Sequence, residues 1–178
     1  CGGCGGGGGE PSEGGGDDGI LQLPATVERI HLARGAWVEG RINVSAAERG
    51  AVPLRVVGHG VMSGARYTWH GGSVGDSLRF LEPAWRAPLH LDGPTFVDAK
   101  GHALILPPNS SAVGIAVLGW LYNEDGVWLT SHSSLRRSFV RTNDDSVRVY
   151  AGAIDGFANA PPAPPRDGVP AVHVEVAD

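Results

Sequence analysis

The sequence has few cysteines, and their position excludes most of the roles that cysteine plays in proteins. Both of them, Cys1 and Cys4, lie in a glycine-rich tract, and no histidine occurs before His31. The rest of the chain therefore has no disulfide framework. A Cys-x-x-Cys pair can be redox-active or form half of a zinc site, but the further ligands and the βαβ pattern that such sites need are missing around it. We interpret the pair as part of a disordered tract.

Lysine and long hydrophobic runs are also scarce. Lys100 is the only lysine beside 13 arginines, and 19 acidic residues against 14 basic ones give a net charge of −5. This balance argues against a nucleic-acid surface and favours a neutral or cationic partner. No run approaches the roughly 18 apolar residues of a membrane span, and no segment resembles a signal peptide. We therefore predict neither nucleic-acid binding nor membrane binding.

Two segments have a composition unlike that of a folded domain. Residues 1–19 contain eleven of the 28 glycines, and such a segment buries too little apolar surface to offset its chain entropy. Residues 155–170 are rich in proline and predict a loop, after which the alternating AVHVEVAD predicts an interrupted strand. Because the chain also begins without methionine, we interpret it as a fragment. We predict a disordered segment at 1–19 and a partial β domain at 20–178 that includes the loop.

The sequence shows little helical periodicity, and short apolar segments recur instead. Leu104, Val127 and Val147 begin three such segments, at separations of 23 and 20 residues. A second series steps by 21 and 22 residues: Phe96, Val117 and Phe139. Two separate series thus share a period in the low twenties.

A repeat this short, with brief strands and turns of Gly, Asn, Asp and Ser, is typical of the coils of a parallel β-helix. Equivalent residues of stacked coils lie about 4.8 Å apart along the ladder, so Leu104, Val127 and Val147 are predicted to form one internal column. The alternative is an antiparallel β-sandwich, whose strands also recur at short intervals. We favour the all-β parallel β-helix because two columns keep the same period.

Acidic and amide side chains repeat with the strands. Asn123 and Asn143 are 20 residues apart, as are Asp125 and Asp145, and Asp144 immediately precedes the latter. Neighbours in a strand point to opposite faces, so the Asp-Asp pair must lie at a corner or bulge in order to reach one cleft. We predict that Asp125 lies over this pair, one coil earlier.

Stacked carboxylates suit acid/base hydrolysis of a glycosidic bond. One carboxyl group protonates the leaving oxygen while another activates water, and an inverting arrangement separates the two by roughly 6.5 to 9.5 Å. Repulsion between neighbouring carboxylates favours the protonated form of one member, as a proton donor requires. The alternatives that the spacing leaves open are a solvated Asn-Asp turn and a calcium-binding turn.

Three segments resemble glycoside hydrolase family 49, the dextranase and isopullulanase family. They are IHLARGAWVEGRI (30–42), VVGHGVMSGARYTWH (56–70) and GWLYNEDGVWLT…SFVRTNDDSVRVY (119–150). The resemblance implies a right-handed, single-stranded parallel β-helix, usually behind an N-terminal β-sandwich, that hydrolyses α-glucans with inversion. It also implies a polysaccharide substrate and an extracellular location, and we expect a monomer without metal or organic cofactor.

The resemblance also implies the site residues. Its three catalytic aspartates match Asp125, which is followed by glycine, and the pair Asp144 and Asp145 one coil later. Asp144 would be the general acid, with Asp125 and Asp145 activating water. Arg148 stands where lysine is expected, and the two are not equivalent donors. We expect sugar contacts from aromatic, amide and basic side chains of the same segments: Trp120, Tyr122, Asn123, Asn143, Arg148 and Tyr150.

Two other functions remain open at this point. Polygalacturonases, of family 28, share the β-helix and a similar carboxylate trio, but there a Gly-His-Gly follows the Asp-Asp pair. Here Gly-His-Gly precedes it, so we interpret His59 as a turn residue. The second of these functions is that of a β-helix that binds carbohydrate without hydrolysing it.

Overall fold

The structure is a computed structural model that describes residues 19–44, 52–68, 79–82, 87–149 and 175–177. These ranges contain short strands and no helix, and hence no helical segment able to cross a membrane. The strands are β1 (Ile20–Leu23), β2 (Arg29–Leu32), β3 (Trp37–Glu39), β4 (Arg41–Val44), β5 (Leu54–Gly58), β6 (Val61–Ser63), β7 (Leu81–Glu82), β8 (Leu89–Asp92), β9 (Thr95–Val97), β10 (Leu104–Leu106), β11 (Ser111–Val113), β12 (Ala116–Leu118), β13 (Val127–Leu129), β14 (Ser134–Arg136), β15 (Phe139–Arg141), β16 (Val147–Val149) and β17 (Glu175–Ala177). Residues 1–18 of the predicted disordered segment 1–19 and the proline-rich segment 155–170 lie outside the described residues.

Every strand pairs in parallel with strands of the neighbouring coils, and the coils have three faces. The first face is the six-stranded sheet β2-β5-β8-β11-β14-β17, and the second is the five-stranded sheet β3-β6-β9-β12-β15. The third face consists of β1-β4-β7 and β10-β13-β16, and a hydrogen bond of 3.1 Å from Phe80 N to Ala103 O joins the two parts. Parallel pairing excludes the antiparallel sandwich, and the predicted all-β parallel β-helix is confirmed.

The interior of the coils is filled by columns of apolar side chains. Leu104 pairs with Val127 and Val127 with Val147, as the period predicted. Leu104 and Val127 are fully buried, whereas Val147 on the last described strand of the third face is 37% exposed. Each coil buries its inward residues against the next one, which is why a single coil would not be stable alone.

The second predicted column is wrong at its last member. Phe96 pairs with Val117 as expected, but Val117 pairs with Val140, and Phe139 pairs with Ala116 instead. Phe139 therefore points outward and is 60% exposed. The coil that begins at Val117 is one residue longer than the spacing between Val117 and Phe139 indicated. A shift of one residue moves a strand side chain to the opposite face of the sheet.

Turns of different length separate the faces. The first and second faces are joined by tight turns, in which Gly114 adopts a left-handed φ of 62° and Arg137 of the next coil one of 48°. The second and third faces are joined by longer loops at 98–103, 119–126 and 142–146, which we call the site loops. Loops at one corner of stacked coils project on the same side, and here they carry the polar residues of interest.

Candidate functional site

The three site loops end in register. Because Leu104, Val127 and Val147 are paired, the residues two positions before each of them also lie in one column: His102, Asp125 and Asp145. Ala103 N donates to Asp125 O and Gly126 N to Asp145 O, both at 2.9 Å, so the ladder extends into the loops. The structure thus stacks the two aspartates on adjacent coils, about 4.8 Å apart along the ladder.

The carboxylate of Asp125 is buried and surrounded by donors. It is 2% exposed, and its Oδ2 accepts a hydrogen bond of 2.8 Å from Trp128 Nε1. Arg148 Nη1 and His102 Nε2 each lie 3.5 Å from the same oxygen. A buried carboxylate is tolerated where hydrogen bonds and an opposite charge compensate its desolvation, and Trp128 and Arg148 do so here.

The indole of Trp128 connects these groups. Trp128 is 6% exposed and pairs in register with Arg148 on the next coil. The Arg148 guanidinium carbon lies 4.6 Å from the indole centroid, and the His102 ring of the preceding coil lies 4.4 Å from it. With its side chain 46% exposed, Arg148 links the buried carboxylate to the surface. This sequence-predicted binding residue therefore also contacts a predicted catalytic one.

His102 was missed by the sequence reasoning. It is 4% exposed, and its Nδ1 has no hydrogen-bond partner among the residues that the structure describes. Burial lowers the pKa of His102, Asp125 acts in the opposite direction, Arg79 and Arg148 lower it further, and Asp144 raises it. The signal that could have found His102 is its position two residues before Leu104, equivalent to that of Asp125 before Val127.

Asp144 and Asp145 lie in a turn rather than in a strand, as their adjacency required. Both are exposed, and Asp145 N donates to Asp144 Oδ1 at 2.9 Å. Thr142 Oγ1 donates to Asp144 O at 3.2 Å and also contacts Ser146 Oγ at 3.2 Å. Asp144 and the buried Asp125 both raise the pKa of His102, so these two carboxylates act on the same imidazole.

The aromatic residues before Asp125 are presented by a compact turn. Trp120 is 51% exposed and Tyr122 67%. The turn is built on Glu124, which is fully buried and whose Oε2 accepts hydrogen bonds from Trp120 N and, at 2.6 Å, from Leu121 N. Asn123 adopts a left-handed φ of 61° within it. Two exposed aromatic side chains thus lie on the same site loop as Asp125.

Glu124 is the second residue that the sequence reasoning did not single out. Burial raises its pKa, the hydrogen bonds from Leu121 N and Trp120 N lower it, Lys100 lowers it and Asp98 raises it, and the net direction is upward. Its Oε1 is buried without a hydrogen-bond partner among the described residues. Nothing in the strand period predicts this role, because it depends on the local path of one loop.

Of the two remaining predicted binding residues, one lies in the described part of the chain. Asn143 is exposed in the last site loop, and Tyr150 lies outside the described residues. Arg141, on the strand that precedes this loop, places its guanidinium carbon 4.5 Å from the Trp120 ring. Within the described ranges, no group of three or more His, Cys, Asp or Glu side chains is arranged to hold a metal ion.

The glycine after Asp125 is required by the stacking, which leads to a prediction about stability. A Cβ at position 126 would overlap Ser146 O of the next coil and lie 2.6 Å from Val140 Cγ1. Because one of these atoms belongs to the backbone, Gly126→Ala is expected to destabilise the fold by about 3 kcal/mol in urea unfolding.

A matched control is available for this substitution. Gly114 has a φ of 62°, nothing lies within 4 Å of the position that a Cβ would take there, and asparagine tolerates that backbone conformation. We expect Gly114→Asn to change the free energy of unfolding by less than about 1 kcal/mol. Equal stability of the two variants would contradict the close stacking of the site loops.

Comparisons with known proteins agree with the resemblance in the sequence. The chain is 25% identical over 157 residues to a dextranase of Arthrobacter globiformis, covering 76% of this chain and 24% of that protein. A dextranase of Arthrobacter sp. (strain CB-8) matches over the same extent, and an isopullulanase of Aspergillus niger is 26% identical over 155 residues, covering 73% of this chain and 26% of the relative. No protein-family model matches. The chain thus spans about a quarter of the length of these relatives, and the resemblance to dextranases and isopullulanases is confirmed.

Proposed function

We propose that this protein is a glycoside hydrolase of the dextranase and isopullulanase type, which cleaves O-glycosidic bonds of an α-glucan with inversion. The observation that carries the proposal is the stacking of Asp125 on the Asp144 and Asp145 turn of the next coil, in a chain similar to enzymes with those names. A polysaccharide substrate implies an extracellular site of action.

The proposed chemistry divides the carboxyl groups by their surroundings. Asp144 is exposed in its turn and would protonate the leaving oxygen of the glycosidic bond. Asp125 and Asp145 would accept a proton from the attacking water on the other side of the sugar. An inverting enzyme needs about 6.5 to 9.5 Å between acid and base to accommodate that water. One coil spacing of about 4.8 Å together with a sideways offset reaches this range.

The contacts of Asp125 suit a base rather than an acid. Trp128 Nε1 donates a hydrogen bond to Oδ2, and Arg148 and His102 approach the same oxygen. In the proposal, Oδ2 is the anchored oxygen and Oδ1 is the one that activates water. The fixed donors would also keep the carboxylate oriented during the reaction.

The aromatic turn is the proposed sugar-binding platform. Trp120 and Tyr122 can stack on the faces of sugar rings, and the hydroxyl of Tyr122 can bind a sugar hydroxyl. Arg141 covers one face of the Trp120 ring, so the sugar would contact the opposite face. Asn143 and Arg148 are exposed on the neighbouring coil and would donate to sugar hydroxyls.

The role of Glu124 can be tested through substrate affinity. Glu124→Ala would leave Trp120 N and Leu121 N without their acceptor and loosen the turn. We expect KM for the polysaccharide to rise by about tenfold while kcat changes by less than about threefold. Glu124→Gln retains an acceptor for both N–H groups and should raise KM by less than about threefold. A normal KM in the alanine variant would exclude this role for Glu124.

The substrate class is tested with a panel of polysaccharides. The full-length protein is incubated with dextran, pullulan and polygalacturonate, and reducing ends and products are measured. The proposal expects hydrolysis of one α-glucan in preference to the other and none of polygalacturonate. Equal release of reducing ends from dextran and pullulan would contradict the proposal. Release of reducing ends from polygalacturonate would favour the polygalacturonase alternative.

A non-catalytic carbohydrate-binding protein is the second candidate. The observation that favours it is the 2% exposure of Asp125, since a base must reach the attacking water. Affinity electrophoresis in gels that contain dextran separates the two functions. Retardation by dextran without release of reducing ends would favour the binding protein over the hydrolase.

A further inference from the structure

The column of site-loop residues begins with a histidine that the proposed reaction does not use. We propose that His102 is a positioning residue that acts through Asp125: its buried imidazole holds Oδ2 of the carboxylate and supplies a positive charge to it at acidic pH. This inference rests on the proposed function, because it assigns Asp125 to the reaction. His102 itself contacts no reacting atom in the proposal.

The imidazole of His102 is fixed by packing against Trp128. Its ring lies against the indole of Trp128, with 4.4 Å between centroids and 35° between planes. The same indole donates to Asp125 Oδ2 at 2.8 Å, and His102 Nε2 lies 3.5 Å from that oxygen. Histidine and tryptophan therefore form one packed unit under the carboxylate, and neither side chain can rotate without disturbing the other.

The two ring nitrogens of His102 have different surroundings, which decide its tautomer. A ring nitrogen that faces a carboxylate oxygen is favoured as the donor, so Nε2 carries the hydrogen. Nδ1 is buried without a hydrogen-bond partner among the described residues. A buried polar atom without a partner is costly, and a purely apolar residue would fill the same space without that cost. The contact from Nε2 to Asp125 is what an apolar residue could not provide.

Charged groups of both signs act on the imidazole of His102. His102 faces carboxylates of the two following coils, Asp125 and Asp144, and guanidinium groups of Arg79 and Arg148. Burial lowers the pKa of His102 below its ordinary value of 6.5, and the aspartates only partly oppose this. The ring is therefore neutral at neutral pH and becomes charged only on acidification.

The sign of the coupling follows from linkage. An ionised Asp125 favours the protonated imidazole, so by reciprocity the protonated imidazole favours the ionised carboxylate. Without the histidine charge, the acidic limb of the pH–activity profile should therefore move to higher pH. Removing the aspartate charge should lower the pKa of His102 further.

The first experiment needs no enzymatic activity. Imidazole ¹⁵N chemical shifts of His102 are followed from pH 8 to pH 4 in the full-length protein and in Asp125→Asn, and the signal is assigned by its loss in His102→Gln. We expect the Nε2–H tautomer at neutral pH and a midpoint that Asp125→Asn lowers by about half a pH unit or more. An unchanged or higher midpoint in Asp125→Asn, or an Nδ1–H tautomer, would overturn the proposal even if the protein hydrolyses α-glucans.

The second experiment measures kcat and KM against pH for two substitutions. Glutamine places an amide N–H near the position of Nε2 but cannot become charged. His102→Gln is expected to retain kcat within about threefold near pH 7. The acidic limb of its pH–activity profile should lie about half a pH unit higher than that of the unsubstituted protein. His102→Phe keeps the packing but not the donor and is expected to lower kcat by about tenfold with little change in KM.

The outcomes of the two experiments are separable. If the acidic limb of His102→Gln coincides with that of the unsubstituted protein, His102 only packs against its neighbours. That result would overturn the proposal. Normal kcat in a folded His102→Phe would do the same, and if that variant does not fold, His102→Gln decides. If no form hydrolyses any polysaccharide, the proposed function fails, whereas the tautomer and midpoint still report whether His102 is coupled to Asp125.

Discussion

Asp144→Asn is expected to lower kcat for α-glucan hydrolysis by about 10³-fold while the protein stays folded. The amide cannot donate a proton to the leaving oxygen, and general acid catalysis is worth about 10²- to 10⁴-fold. Asp144 is exposed in its turn, and its side chain accepts a hydrogen bond from Asp145 N that an asparagine side-chain oxygen can also accept. The fold therefore has little reason to change. Release of reducing ends from the preferred polysaccharide measures the effect.

Two controls sharpen this prediction. Asp92 is an exposed aspartate at the end of β8 on the first face, and Asp92→Asn should leave kcat unchanged. A glycosyl fluoride needs no protonation of its leaving group, so Asp144→Asn should lose much less activity on such a substrate. If Asp144→Asn keeps more than about a tenth of kcat on the polysaccharide, Asp144 is not the general acid.

Asp125→Asn is expected to affect both activity and stability. Loss of the base should lower kcat by about 10²-fold or more. The substitution also removes the charge that faces Arg148 and His102 at 3.5 Å in a position that is 2% exposed, which should cost about 1 to 3 kcal/mol of unfolding free energy. Hydrolysis rates and urea unfolding curves of the same preparation give both numbers.

Asp145→Asn is the matched comparison for Asp125→Asn. Asp145 occupies the equivalent position one coil later but is exposed, so its replacement should lower activity with less than about 0.5 kcal/mol change in stability. If Asp125→Asn is as stable as Asp145→Asn, the contacts of Asp125 Oδ2 with Trp128 and Arg148 do not compensate a buried charge. If it also keeps its activity, Asp125 has no part in the reaction.

The fold could be predicted because stacking imposes a period on the sequence. Leu104, Val127 and Val147 recur at the coil length and are paired in the structure. The prediction failed at Phe139, since a large apolar residue next to the interior position Val140 shifted the apparent repeat by one residue. Coil lengths vary in their turns, so a series of hydrophobic residues fixes the number of coils better than it fixes the register.

The site could be predicted in part for the same reason. The stacking of Asp125 and Asp145 follows from the period, and His102 could have been found by applying the 23-residue step between Leu104 and Val127 to Asp125. The contacts of Trp128 and Arg148 with the carboxylate could not be predicted, because a repeat does not fix the directions of side chains around a corner. Tyr150 lies outside the described residues and stays a prediction.

The most direct test of the stacked-carboxylate site is the anomeric configuration of the first product. The full-length protein is mixed with its preferred α-glucan, and the new reducing ends are followed by ¹H NMR during the first minutes, before mutarotation equilibrates them. Hydrolysis by an acid and a base on opposite sides of the sugar predicts that the β-anomer appears first. Initial appearance of the α-anomer would mean retention through a covalent intermediate, and would contradict the roles assigned to Asp125, Asp144 and Asp145.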